Sequence, residues 1–242
     1  MSTALGVAVM IAIECVALVA FAKYPGPYRL RSVVCSGNIV LVTLFGAMLV
    51  DFGFGVSNIG NIWYAAAVCS QCILLARHGR QAALDTLPMV YGVLLFLFSI
   101  CWTLRLFPVV PGNEVFVAAV HAIADHEARL VAASFAAFAF TQFVLITVWD
   151  QTQRHGLHAI PAMLIATVAA QAVDTPIFFV IAFWQQMPVE TMIDAMLTGF
   201  LVKCALGAAF TPAFVAAITS PTPAVTQPPN STKAPTSVST GR

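Results

Sequence analysis

Apolar residues along this chain fill runs of bilayer length, parted by short polar stretches. The runs cover about Ala4–Ala22, Val33–Phe52, Ile59–Arg77, Leu87–Phe107, Leu130–Trp149, Ala159–Trp184 and Ala195–Ile218. A hydrocarbon layer of ~30 Å takes about 20 residues of helix, and a helix satisfies its own backbone there. The pattern predicts an all-α, polytopic transmembrane helix bundle of about seven spans, with six as the alternative count. Residues 1–218 form that bundle as a single domain. From Thr219 to Arg242 the chain turns to Ser, Thr and Pro without hydrophobic periodicity, the composition of a disordered tail. Ala20-Phe21-Ala22 looks like a signal-peptidase site, but the run before it lacks a basic leader and carries Glu14. A retained first helix is therefore expected.

Composition narrows the class. The chain is 60% hydrophobic and 9% charged, against about 25% charged for an ordinary soluble domain. Its net charge of +1 gives no basic surface for nucleic acid. Cys15, Cys35, Cys69, Cys72, Cys101 and Cys204 all fall in apolar runs or at their edges. Cys69 and Cys72 form a CxxC, but it sits mid-span with no basic neighbour, so packing is the expected role. Neither a metal nor a cofactor is expected.

The polar stretches alternate in basic content. Lys23, Arg29 and Arg31 follow the first run, Arg77 and Arg80 the third, and Arg154 the fifth, while the second and sixth are followed by none. Glu114, Asp125 and Glu127 crowd the fourth connection. The positive-inside rule then places the odd-numbered loops and the C-terminus in the cytoplasm and the N-terminus outside. Arg105 and Arg129 run against this pattern, and snorkelling or pairing with nearby acids would accommodate them. Asn230-Ser231-Thr232 matches a glycosylation sequon, but a cytoplasmic tail would not meet that machinery.

Polar residues inside the runs carry the candidate chemistry. A carboxylate at mid-membrane costs roughly 3 kcal/mol on insertion scales, so Asp174 needs a partner or a hydrated cavity. At 1.5 Å per residue Asp174 lies ~15 Å from the outer face and Lys203 ~12 Å, on helices joined by a short outer loop. The two can meet. Glu14 falls ~15 Å deep and Gln71, Gln142 and Gln171 ~18–20 Å, a set that suits either a lined cavity or plain interhelical bonding. Pro176 and Pro212 interrupt the last two runs, as happens where helices bend around a site. Phe178, Phe179, Phe183 and Trp184 cluster nearby and could stack on a flat ligand. His121, Asp125, His126 and Glu127 fit no zinc pattern. No Ser-His-Asp, HExxH or phosphate-cradling motif occurs, so an enzyme is not expected.

Glu127-Ala128-Arg129-Leu130-Val131-Ala132-Ala133-Ser134-Phe135 through Thr141-Gln142, followed by Gln171-Ala172-Val173-Asp174-Thr175-Pro176-Ile177-Phe178-Phe179-Val180-Ile181-Ala182-Phe183-Trp184, resembles the queuosine precursor transporters. These are small bacterial inner-membrane proteins of the vitamin-uptake-transporter-like family. Lys203 and Pro212 fall where that family has a lysine and a proline, and His78-Gly79-Arg80-Gln81-Ala82-Ala83 resembles it more weakly. Two positions depart from it. Gln71 and Cys72 stand where many relatives have an acidic residue, and Leu145 where many have an aspartate.

The resemblance implies import of 7-cyano-7-deazaguanine or 7-aminomethyl-7-deazaguanine, for tRNA modification, across the cytoplasmic membrane. Asp174 would accept from the base's donor edge and Gln142 and Gln171 would support it. Phe178 would stack, Gln71 would complete the substrate-binding set, and Lys203 would balance Asp174. The expected partners are a small 7-deazaguanine base and the lipid bilayer, without nucleic acid; homo-oligomerisation stays open. The alternative is a membrane subunit that captures another vitamin-like solute for a separate ATPase, since no Walker motif is present. A third class, a structural or assembly protein, predicts that Asp174 affects abundance alone.

Overall fold

The computed structural model describes residues 3–23, 37–42, 49–51, 56–104, 106 and 114–220. Helix α1 spans Thr3–Lys23, and residues 37–42 form a short helical segment, α2. Strands β1 (Leu49–Asp51) and β2 (Val56–Asn58) pair antiparallel, with Val50 opposite Ser57. The remaining helices are α3 (Asn61–Leu104), α4 (Glu114–Arg154), α5 (Ala159–Phe183), α6 (Val189–Ala209) and α7 (Thr211–Thr219).

Among the described residues, four helical stretches are long and apolar enough to cross a membrane: Asn61–Ile100, Arg129–Arg154, Ala159–Phe183 and Val189–Thr219. Leu5–Ala20 is a shorter apolar helix. The architecture is thus an all-helical membrane bundle with one small hairpin. Its spans do not divide as the seven apolar runs suggest. The second run was expected as one helix to Phe52, yet Leu49–Asp51 is strand; its residues 33–36, 43–48 and 52 lie outside the described set, as do Arg29, Arg31, Arg105 and the tail from residue 221 with Asn230. The acid-rich fourth connection is not a loop from Glu114 onward. It is the first part of α4, so His121, Asp125, His126 and Glu127 sit on a helix.

The third and fourth runs belong to one element, α3, but Gly79 breaks it with φ 78° and ψ −179°. Gln71 Nε2 donates to Thr86 Oγ1 at 2.8 Å across fifteen positions. On a straight helix those residues would stand ~22 Å apart, so the chain doubles back at Gly79 and the two arms pack antiparallel. That backbone conformation is open to glycine almost alone.

Other joints follow from local sequence. Gly156, at φ 76°, closes α4: its N–H reaches the Gln153 carbonyl and Leu157 N–H reaches Thr152, the paired bonds of a Schellman end. Pro176 does not interrupt α5, which continues to Phe183. Pro212 does mark a joint. It occupies the first turn of α7, where its missing N–H costs nothing, just after α6 stops at Ala209.

Most of the described arginines gather at one end. Arg77 donates to the carbonyls of Ala22, Ala217 and Ser220, closing the C-terminal ends of α1 and α7. Carbonyls left over at a helix end carry partial negative charge, which a guanidinium satisfies well. Arg80 pairs with Asp150 near the end of α4 at 2.7 Å. At the opposite end Arg129 donates to Ile181 and Trp184 carbonyls, so it caps α5; it pairs with no acid among the described residues. The β-hairpin, the start of α3 and the α5–α6 turn share that end, called here the hairpin end.

Candidate functional site

Asp174 and Lys203 meet at the heart of the bundle, only 2% and 4% exposed. Lys203 Nζ lies 2.5 Å from Asp174 Oδ2. The helices deliver them differently from the depth argument. α6 begins at Val189, six residues before the expected Ala195, so Lys203 is ~21 Å from the hairpin end of its helix and Asp174 ~14 Å from that of α5. Side chains lean toward the N-terminus of their own helix. In antiparallel helices the long lysine therefore leans outward and the aspartate inward, and the two close the gap.

The second oxygen of Asp174 is also engaged. Tyr64, on the first arm of α3, donates its hydroxyl to Oδ1 at 2.5 Å. Thr141 Oγ1 of α4 lies 3.1 Å from the same oxygen and 2.7 Å from the Ala137 carbonyl, and its one hydrogen serves one of them at a time. Lys203 Nζ stands 4.8 Å from the Tyr64 ring centre and 5.9 Å from that of Phe178, within cation–π range. Four helical segments thus converge on one carboxylate. A buried pair survives when its leftover hydrogen-bonding capacity is filled in this way.

Beside this cluster opens a cavity of about 560 Å³. That lies within the ~300–1,000 Å³ of small-molecule sites. Asp174, Lys203 and Tyr64 form its inner wall. Phe138, Phe178, Phe179 and Phe183 line its flanks, the last three in mutual contact with ring centres 5.4–6.1 Å apart. Ser57, Asn58 and Asn61 form its hairpin-end wall, and Thr191, Asp194 and Thr198 follow one face of α6. Asn61 Nδ2 donates to Ser57 Oγ at 2.9 Å, tying β2 to α3. The strand packs on α6 beside Gly199, where an added methyl would make ordinary contacts, 3.8 Å from Ser57 Oγ and 3.5 Å from the Phe179 ring.

Of the residues picked out from sequence, Asp174, Lys203 and Phe178 are brought together at this cavity. Gln71, Gln142 and Gln171 are fully buried but do not line it. Gln71 joins the two arms of α3. The amides of Gln142 and Gln171 meet no hydrogen-bond partner among the described residues. Glu14 is buried elsewhere, near Trp63 and Asn38. Sequence reading passed over Tyr64, Asn61 and Ser57. The i, i+3 spacing of Asn61 and Tyr64, which puts both on one helix face, was the available signal.

A charge-balanced polar wall facing an apolar aromatic chamber suits a small solute with both polar and apolar faces. Residues 58–217 match the family described as "Putative vitamin uptake transporter". The chain belongs to that family. No curated protein and no solved structure matches it. The matched segment holds every element that builds the cavity's inner wall. The protein is therefore a multi-pass membrane protein of a small-molecule uptake family, a non-enzymatic role.

Proposed function

We propose that this vitamin-uptake-family protein is a carrier that imports a queuosine precursor, 7-cyano-7-deazaguanine or 7-aminomethyl-7-deazaguanine, into a bacterial cytoplasm. One observation carries the reading: Asp174, balanced by Lys203 and held by Tyr64, forms the inner wall of an aromatic chamber of about 560 Å³. The guanine-like edge of the base presents adjacent N–H and amino donors, which a carboxylate accepts. Phe178 and its neighbours offer faces for stacking. Lys203 neutralises Asp174 until the donor edge competes for it. Gln142 and Gln171, buried behind this carboxylate without lining the cavity, keep amides that meet no partner among the described residues.

In this reading the basic end lies in the cytoplasm, as Lys23, Arg77, Arg80 and Arg154 require under the positive-inside rule. The N-terminus is outside and the membrane is the inner one; the expected seven crossings count the two arms of α3 separately and include the run of residues 33–52. Accumulation of each labelled base by cells unable to make it, with and without this chain, tests the function. Uptake that depends on the chain and is lost in Asp174→Asn is expected. Equal accumulation with and without the chain refutes it.

A further inference from the structure

The two ends of the cavity differ in chemistry. At the inner end the carboxylate of Asp174 is already matched by Lys203. At the hairpin end two acceptors stand without a cation. Asn58 lines the cavity, and its side-chain oxygen is buried with no hydrogen-bond partner among the described residues. Asp194 lines it from α6, and no described ion pair neutralises its carboxylate. The two come from different elements, β2 and α6, which pack together at Gly199. Asp194 and Lys203 are nine residues apart, a rise of ~13 Å along α6. Aromatic rings line the interval.

We infer that the hairpin end of the cavity is an acceptor subsite for an ammonium-bearing arm, so that the protein selects the aminomethyl base over the nitrile. This rests on the proposed function and names its substrate more narrowly. A planar base whose donor edge lies at Asp174 projects its side arm toward Asn58 and Asp194. An aminomethyl arm is cationic and offers only donors, which suits both groups. A nitrile nitrogen is only an acceptor: Asn58 can turn its amide N–H toward it, but the Asp194 carboxylate has no hydrogen to share and repels it. Asp194 is exposed, so screening keeps its effect moderate.

The experiment is a competition. Cells lacking synthesis of both bases and carrying the chain are given the two labelled bases together, and initial uptake rates are compared. Wild type takes up the aminomethyl base about tenfold faster, the scale of one charge-assisted contact. Asp194→Asn brings the ratio near one, Asp194→Glu restores it, and membrane abundance of each variant is measured alongside. Uptake of both bases at equal rates, or a preference that survives Asp194→Asn, overturns this inference and leaves the proposed function standing. Entry of neither base overturns both.

Discussion

Tyr64 donates to Asp174 from 110 positions away, and this one bond fastens the first arm of α3 to the ion pair of α5 and α6. A hydrogen bond to a charged group contributes about 1.5–3 kcal/mol. Tyr64→Phe keeps the ring beside Lys203 but removes the donor, leaving Oδ1 to Thr141 alone. The expected result is a lower melting temperature in detergent and weaker apparent affinity for the transported base, with the maximal rate less affected. An unchanged melting temperature would show that the bond contributes nothing net.

The ion pair itself separates stability from function. Removing one member of a buried pair leaves an uncompensated charge and typically costs ~3–5 kcal/mol. Asp174→Asn and Lys203→Met should therefore each reduce membrane abundance. The double variant removes both charges and should fold better than either single one. If Asp174 binds solute, the double variant remains unable to transport. If the pair is only structural, transport returns with abundance, and comparing flux per folded molecule across the four proteins distinguishes the two.

The ion pair was legible because charges in an apolar run have few physical excuses, and two such runs joined by a short turn must be neighbours. The rest of the site was hidden for reasons that can be named. Depth along a helix says nothing about facing, so Gln142 and Gln171 counted as cavity residues although neither lines it. A tyrosine near the start of a span is ordinarily an interfacial residue, which masked Tyr64. The hairpin was lost because Leu49-Val50-Asp51 closes an apolar run that reads equally well as helix. The acid-rich stretch after Glu114 has loop composition, yet it forms the start of a 41-residue helix.

Gly79 controls the fold of α3 through its backbone alone. A Cβ placed there meets nothing within 4 Å, but φ 78° with ψ −179° is hostile to any L side chain. Conformations of this kind cost of order 1–3 kcal/mol. Gly79→Ala should lower the unfolding free energy by that amount, and with it the melting temperature, and Gly79→Val by more, without steric conflict as the cause. Gly207→Val in contrast should destabilise by contact, because a Cβ there already lies 3.0 Å from the Thr167 methyl. Thr167→Ser, which deletes that methyl, should partly rescue Gly207→Val and do nothing for the Gly79 variants.

Sidedness is open to direct measurement because the turns at the two ends of α5 are exposed. His155 lies in the turn before it, at the end where Arg77 and Arg80 gather, and Gln186 lies in the turn after it. Of the six native cysteines, Cys69 and Cys72 are buried and Cys15 and Cys204 partly accessible, so the parent for labelling has Cys15, Cys35, Cys101 and Cys204 replaced by Ala. Under the positive-inside assignment, a membrane-impermeant maleimide applied to intact cells labels Gln186→Cys and spares His155→Cys. Inverted vesicles give the reverse. Labelling of His155→Cys from outside would turn the protein over, placing the basic end outside and the aromatic cavity nearer the cytoplasm. Import would then have to proceed from the end closed by Arg77, against the direction that the cavity's position supports.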